Sequence, residues 1–189
     1  MKTFQTLISV LFLGLALSVS AQKVTKEVDV EKSSLIWKGH KIGGSHEGTI
    51  TLKKGTLYFE KDKLIKGDFT ADMSSISSTD LSGKGKERLD AHLKSEDFFD
   101  VEKYTEATLV FTKIREVSKN VYNITSDLII KGIKQEVNFD LTVTKNEAST
   151  SFEVDRTKFD IKYRSGTIFP ELADKAIKDN FDIIVKLVF

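Results

Sequence analysis

Val121–Lys145 reads VYNITSDLIIKGIKQEVNFDLTVTK, and its period is two almost throughout. Tyr122, Ile124, Ser126, Leu128 and Ile130 fall on one face. After Lys131-Gly132, the residues Ile133, Gln135, Val137, Phe139, Leu141 and Val143 take one side, and Lys134, Glu136, Asn138, Asp140 and Thr142 the other. Successive side chains of a strand point to opposite faces, so the stretch predicts two long antiparallel strands around a Lys-Gly turn. At ~3.3 Å per residue the run Ile133–Lys145 spans ~40 Å, well beyond an ordinary strand. Long strands with a charged outer face are safest where no edge is left open, which favours a closed barrel over a sandwich.

The same alternation extends in both directions. Upstream, Val24–Val30 and Ser34–His40 (Leu35, Trp37 and Gly39 on one face) predict two strands, and Gly43-Gly44 breaks the run. Gly48–Lys53 and Thr56–Glu60 read as a hairpin about Lys54-Gly55. A further strand after Lys66-Gly67 puts Phe69, Ala71 and Met73 on one face, and polar Ser74–Gly85 reads as a loop. Downstream, Phe152, Val154 and Arg156 share a face, Lys158–Arg164 reads as one more strand, and Phe169-Pro170 opens a short loop or single helical turn. Phe181, Ile183, Val185, Leu187 and Phe189 finish the chain in step. Eight or nine antiparallel strands with no βαβ alternation make an all-β meander.

One interruption breaks this pattern. Lys84–Lys94 (KGKERLDAHLK) sets Leu89 and Leu93 four apart among charges and predicts a short amphipathic helix. His92–Phe111 (HLKSEDFFDVEKYTEATLVF) follows, with Phe98-Phe99 set among acids before alternation resumes at Ala107, Leu109 and Phe111. The double aromatic closes one end of the barrel, either as a plain cap on the core or, with the helix, as a lid.

Composition excludes several function classes. Residues 1–21 read as a cleaved signal peptide. Lys2 supplies the positive start, Leu7–Val19 the apolar run, and Val19-Ser20-Ala21 the small residues of a cut after Ala21. The run is shorter than the ~18 residues of a membrane span, so no stable span is expected after cleavage. Export to the periplasm or beyond follows, with residues 22–189 as one domain. Setting Lys2 aside leaves 28 basic residues against 28 acidic, which gives no push toward nucleic acid. The chain has no Cys, so disulfides, thiol chemistry and Cys-based metal sites are excluded. His40, His46 and His92 match no zinc spacing, and no metal is expected. Neither G-x-S-x-G, H-E-x-x-H, GxGxxG nor a P-loop occurs, so no catalytic residue is assigned and the chain is read as a non-enzyme without a cofactor.

The inward face gathers Trp37, Phe69, Met73, Leu128, Ile130, Phe139, Leu141, Phe152, Val154, Phe181, Ile183 and Val185. An eight-stranded barrel either fills with such side chains or keeps room for one small ligand, and the pattern serves both. Arg156, inward by spacing, needs a partner: an acid such as Asp97 or Asp100, a cluster of carbonyls, or a polar ligand head.

Several segments together resemble the YceI-like family, bacterial lipid- or polyisoprenoid-binding proteins with an extended lipocalin-like barrel. They are Ser34-Leu35-Ile36-Trp37, His46-Glu47-Gly48, Gly67-Asp68-Phe69 with Met73 and Ser75-Ile76, and His92–Ser95 with Asp97–Val101 and Lys103-Tyr104. Asp127–Gly132 and Asp155–Phe159 complete the set. The chain departs from the family at Thr105, where proline is usual, and at Asp160, where glycine is usual. The resemblance implies an apolar channel lined by the twelve inward residues together with Phe98, Phe99 and Arg156, holding an isoprenoid (quinone or polyprenyl) or a long acyl chain as ligand. It leaves open self-association into a homodimer. The rival reading is an enzyme or redox accessory acting on an isoprenoid lipid.

Overall fold

The computed structural model describes residues 22–189; the signal-peptide reading of residues 1–21 lies outside them. Nine strands and one α-helix follow in order: β1 (Lys23–Glu27), β2 (Ser34–Lys41), β3 (Gly44–Glu60), β4 (Lys63–Ser78), α1 (Gly83–Lys94), β5 (Glu106–Ser118), β6 (Val121–Ile130), β7 (Ile133–Val143), β8 (Glu147–Asp155) and β9 (Ile177–Val188). Eight strands run in the ring order β3-β2-β9-β8-β7-β6-β5-β4, and β4 pairs again with β3, closing an antiparallel barrel. β1 is the extra strand, paired to β3 over Thr56–Glu60.

The up-and-down path gives the barrel two unlike ends. At the base, short turns join β3 to β4, β5 to β6 and β7 to β8. The other end, the rim, carries the β2–β3 turn, the crossover through α1, the β6–β7 turn and the segment 156–176. Lys61 and Asp62 at the base, and Lys131 and Gly132 at the rim, all have positive φ. Paired positive-φ residues form the turns whose twist matches that of flanking strands, so the Lys-Gly turn sits where the sequence puts it.

Four expectations are corrected. Lys54-Gly55 is not a turn: β3 runs unbroken from Gly44 to Glu60, and the chain reverses at Lys61-Asp62. Gly55 is there for space, since a Cβ on it would stand 2.7 Å from the Phe69 ring. Ser74–Gly85 is not all loop. β4 continues to Ser78 across a bulge in which the Asp72 carboxylate accepts from the Ser74 N–H at 2.9 Å and Ser75 Oγ donates to the Asp72 carbonyl at 2.6 Å. β7 stops at Val143 rather than Lys145. Lys158–Arg164 is not a strand; Arg156–Phe159 is a 3-10 turn, capped by the Asp155 carboxylate on the Thr157 N–H at 3.0 Å. Asp160 ends it at φ 61°, a left-handed conformation that Asp tolerates, so the bend survives without the family's usual glycine.

The ring is not uniformly stitched. Its other ladders extend over at least five residue pairs, as in β6–β7, where ten pair from Val121↔Thr142 to Ile130↔Ile133. Between β7 and β8 only Thr142↔Ser149 and Val143↔Ala148 pair, and above them the two strands part. Across this seam Thr150 Oγ1 donates to the Asp140 carbonyl at 2.7 Å, and the rings of Phe139 and Phe152 stack at 4.6 Å.

Candidate functional site

The interior holds two apolar clusters, one toward each end. The base cluster is tightly filled: Leu57 and Ile124 have no exposed surface, and Leu64, Phe59 and Tyr122 pack around them. The rim cluster contains Trp37, Met73, Leu128, Ile130 and Val154, roofed by Leu93, Phe98 and Phe99. Between them lies a cavity of about 180 Å³.

All fifteen residues singled out in the sequence line this cavity. Phe98, Phe99, Arg156 and Phe181 stand toward the rim, Trp37, Met73, Leu128, Ile130, Val154 and Ile183 around the middle, and Phe69, Phe139, Leu141, Phe152 and Val185 deeper. Sequence reasoning missed Ile50 and Leu52, which the false turn at Lys54-Gly55 hid, and Leu35, Leu109, Phe111 and Leu187, which share inward faces with residues it chose. Among the lining residues only Arg156 and Lys178 are ionisable.

Glycine makes room for the aromatic lining. A Cβ on Gly67 would lie 2.5 Å from the Phe111 ring, and one on Gly48 would lie 2.7 Å from Trp37 and 2.0 Å from the Ser77 carbonyl oxygen. The bulky rings therefore lie flat against bare backbone on β3 and β4. Trp37 keeps its Nε1–H buried with no hydrogen-bond partner. Phe152, Phe181, Ile183 and Val185 point inward yet stay only half-buried, because they face the cavity rather than other side chains.

Arg156 meets neither Asp97 nor Asp100. Its Nε donates to the Lys178 carbonyl at 3.1 Å, Nη1 to the carbonyls of Ile161 and Tyr163 at 2.9 Å each, and Nη2 to the Ile177 carbonyl at 3.1 Å and Asp179 Oδ1 at 3.4 Å. A guanidinium has five N–H donors, and all are used. The segment after β8 curls around this group, which is why it cannot extend as a strand. Arg156 thus ties 156–163 to the start of β9 and has no donor left for a ligand head.

The roof is built from two rim segments. After α1 the chain folds back, with the Phe99 N–H on the Leu93 carbonyl and the Val101 N–H on the Lys94 carbonyl, and this turn directs both phenylalanines inward. His92 then touches Phe98 and Tyr163 at ring separations of 4.8 and 4.4 Å, joining the crossover to segment 156–176. α1 is fixed to β4 through Asp90, which accepts from the Ser78 N–H at 2.7 Å, Ser77 Oγ at 2.8 Å and Lys86 Nζ at 2.9 Å. Burial pushes the Asp90 carboxyl up, but these donors outweigh it and hold it down to about 2. The histidines are far apart in role: His40 pairs with Asp182, His46 with Asp80, and His92 stands 3.9 Å from Asp97.

A closed eight-stranded antiparallel barrel, filled at its base and hollow and apolar above, is a lipocalin-like barrel. The chain belongs to the YceI-like family, whose domain model matches residues 27–189. A UPF0312 protein of Pseudomonas putida strain W619 is 30% identical over 146 residues, covering 75% of this chain and 72% of that protein. Among solved structures the chain is similar to Burkholderia cenocepacia BcnA (TM-score 0.67, 23% identity, 86% of this chain and 99% of that one). It is also similar to a polyisoprenoid binding domain from Saccharophagus degradans implicated in plant cell wall breakdown (TM-score 0.59, 10% identity, 89% and 99% covered). A Campylobacter jejuni YCEI protein aligns over 100% of this chain and 99% of its own at TM-score 0.53 and 18% identity. Among the described residues no helix is long and apolar enough to cross a membrane.

Proposed function

We propose that this protein holds the hydrocarbon part of a lipid, an isoprenoid or long acyl chain, inside its barrel, and holds it without altering it. The observation that carries this reading is the row of inward, half-buried apolar side chains facing a cavity with almost no polar surface. Membership of the YceI-like family and the likeness to a polyisoprenoid binding domain support it. Burying ~500 Å² of hydrocarbon at ~25 cal/mol/Å² yields ~12 kcal/mol gross. Several kcal/mol of association and ordering cost still leave useful affinity. The apolar lining suits a carrier or buffer better than an enzyme, since it holds no acid, base or nucleophile near the ligand. Residues 1–21, read as a signal peptide, make the carrier an exported one.

At about 180 Å³ the cavity is a little larger than the ~150 Å³ apolar void that accepts benzene in an engineered protein, and smaller than the ~300 Å³ at which drug-sized pockets begin. A long chain therefore needs the roof or the wall to move. Native mass spectrometry of protein purified from its host is the test. A stoichiometric, chemically unaltered lipid is the expected result. Protein that arrives empty and takes up neither isoprenoid nor acyl chain would overturn the proposal; a chemically converted lipid would favour the enzymatic alternative.

A further inference from the structure

The rim carries an exposed apolar patch beside the cavity. Ile42, Ile168 and Phe169 are 59%, 40% and 39% exposed. They come from two loops that the backbone brings together. Lys41, next to Ile42, pairs with Ile177 of β9, and Ile177 bridges on its other side to Ser165. Ser165 in turn receives the N–H groups of Ile168 and Phe169 on its hydroxyl and carbonyl. Ile177 and Lys178 also line the cavity, so the patch borders its rim end. Lys41, Arg164, Lys175 and Lys178 stand around the patch and form no ion pair among the described residues, whereas Asp160, Asp179 and Asp182 nearby are each matched to a cation. Glu171 and Asp174 are the remaining acids of this segment, so the local balance is positive although the chain as a whole is almost neutral.

Exposed apolar groups ringed by lysine and arginine match an interface of acyl chains beneath anionic headgroups. We infer that the rim docks on an anionic lipid surface, with Ile42, Ile168 and Phe169 dipping below the headgroups and the cations contacting them. This rests on the lipid-holding reading above and adds the place where a chain passes between bilayer and barrel.

The test is flotation of the full protein with phosphatidylethanolamine–phosphatidylglycerol vesicles and with phosphatidylcholine vesicles, with bound lipid measured separately by native mass spectrometry without vesicles. The expected result is flotation with the anionic vesicles alone. K41Q with K175Q should lower partition roughly 30-fold, as two lysines at about 1 kcal/mol each imply. I42S with I168S and F169S, or F169S by itself, should lower it further while leaving bound lipid unchanged. Absence of flotation by lipid-loaded protein, equal flotation with both vesicle types, or flotation indifferent to these variants would overturn the docking surface. Loss of lipid binding in solution with flotation intact would instead overturn the carrier reading and leave the surface standing.

Discussion

Arg156 shows how much a single position discloses. Its spacing after Phe152 and Val154 was enough to turn it inward, and burial was enough to demand partners. The partners themselves were hidden, because four of the five are backbone carbonyls contributed by Ile161, Tyr163, Ile177 and Lys178, and carbonyls have no sequence signature. Arg156→Ala leaves those carbonyls and Asp179 buried without a donor, and it is expected to cost about 3–5 kcal/mol, read as a lower urea midpoint. Arg156→Lys offers three donors in place of five and should recover only part of this. Gly67 tells a similar story. Its reason is the Phe111 ring 2.5 Å from where a Cβ would be. Gly67→Ala is expected to cost about 1–3 kcal/mol by overpacking and to push Phe111 toward the cavity, so bound lipid should fall more than stability alone explains.

At the level of elements, the strands with clean alternation were legible to within a residue or two, and α1 was legible from Leu89 and Leu93. The failures have a shared cause. Gly55 looked like a turn and is a clearance for a ring; residues 158–164 looked extended and are bent around a buried cation. Both depend on side chains distant in sequence. The Asp90 anchor of α1 was likewise invisible, since Ser77 and Ser78 lay in a supposed loop. Its carboxyl is held to about 2 in the fold against an ordinary 3.8, so its stabilising effect is complete above about pH 4 and is lost as pH falls toward 2. Hydrogen exchange of the α1 amides should accelerate over that window. Asp90→Asn should show faster exchange already at neutral pH and lose the step.

For the whole molecule, the closed barrel followed from strand length, number and charged outer faces, and the family resemblance supplied the cavity that alternation alone could not distinguish from a filled core. The size of the hollow was beyond any sequence argument, because it depends on how closely Phe98, Phe99 and Phe181 settle over it. If a longer guest enters through added space in the wall, that space should come from the parted β7–β8 seam. By continuing the pairing of Thr142 with Ser149, Val137 stands opposite Val154. A disulfide introduced as Val137→Cys with Val154→Cys should leave short hydrocarbons bound and exclude long branched ones, compared by competition for the same protein.

That seam makes the barrel a hoop with a buckle. Parting one aromatic stack and one hydroxyl bond costs roughly 1–3 kcal/mol, and every other ladder stays intact while the girth grows. Such a container fits its bore to the thickness of its contents, so guests of differing bulk should be told apart by how far they stretch it rather than by any group they offer.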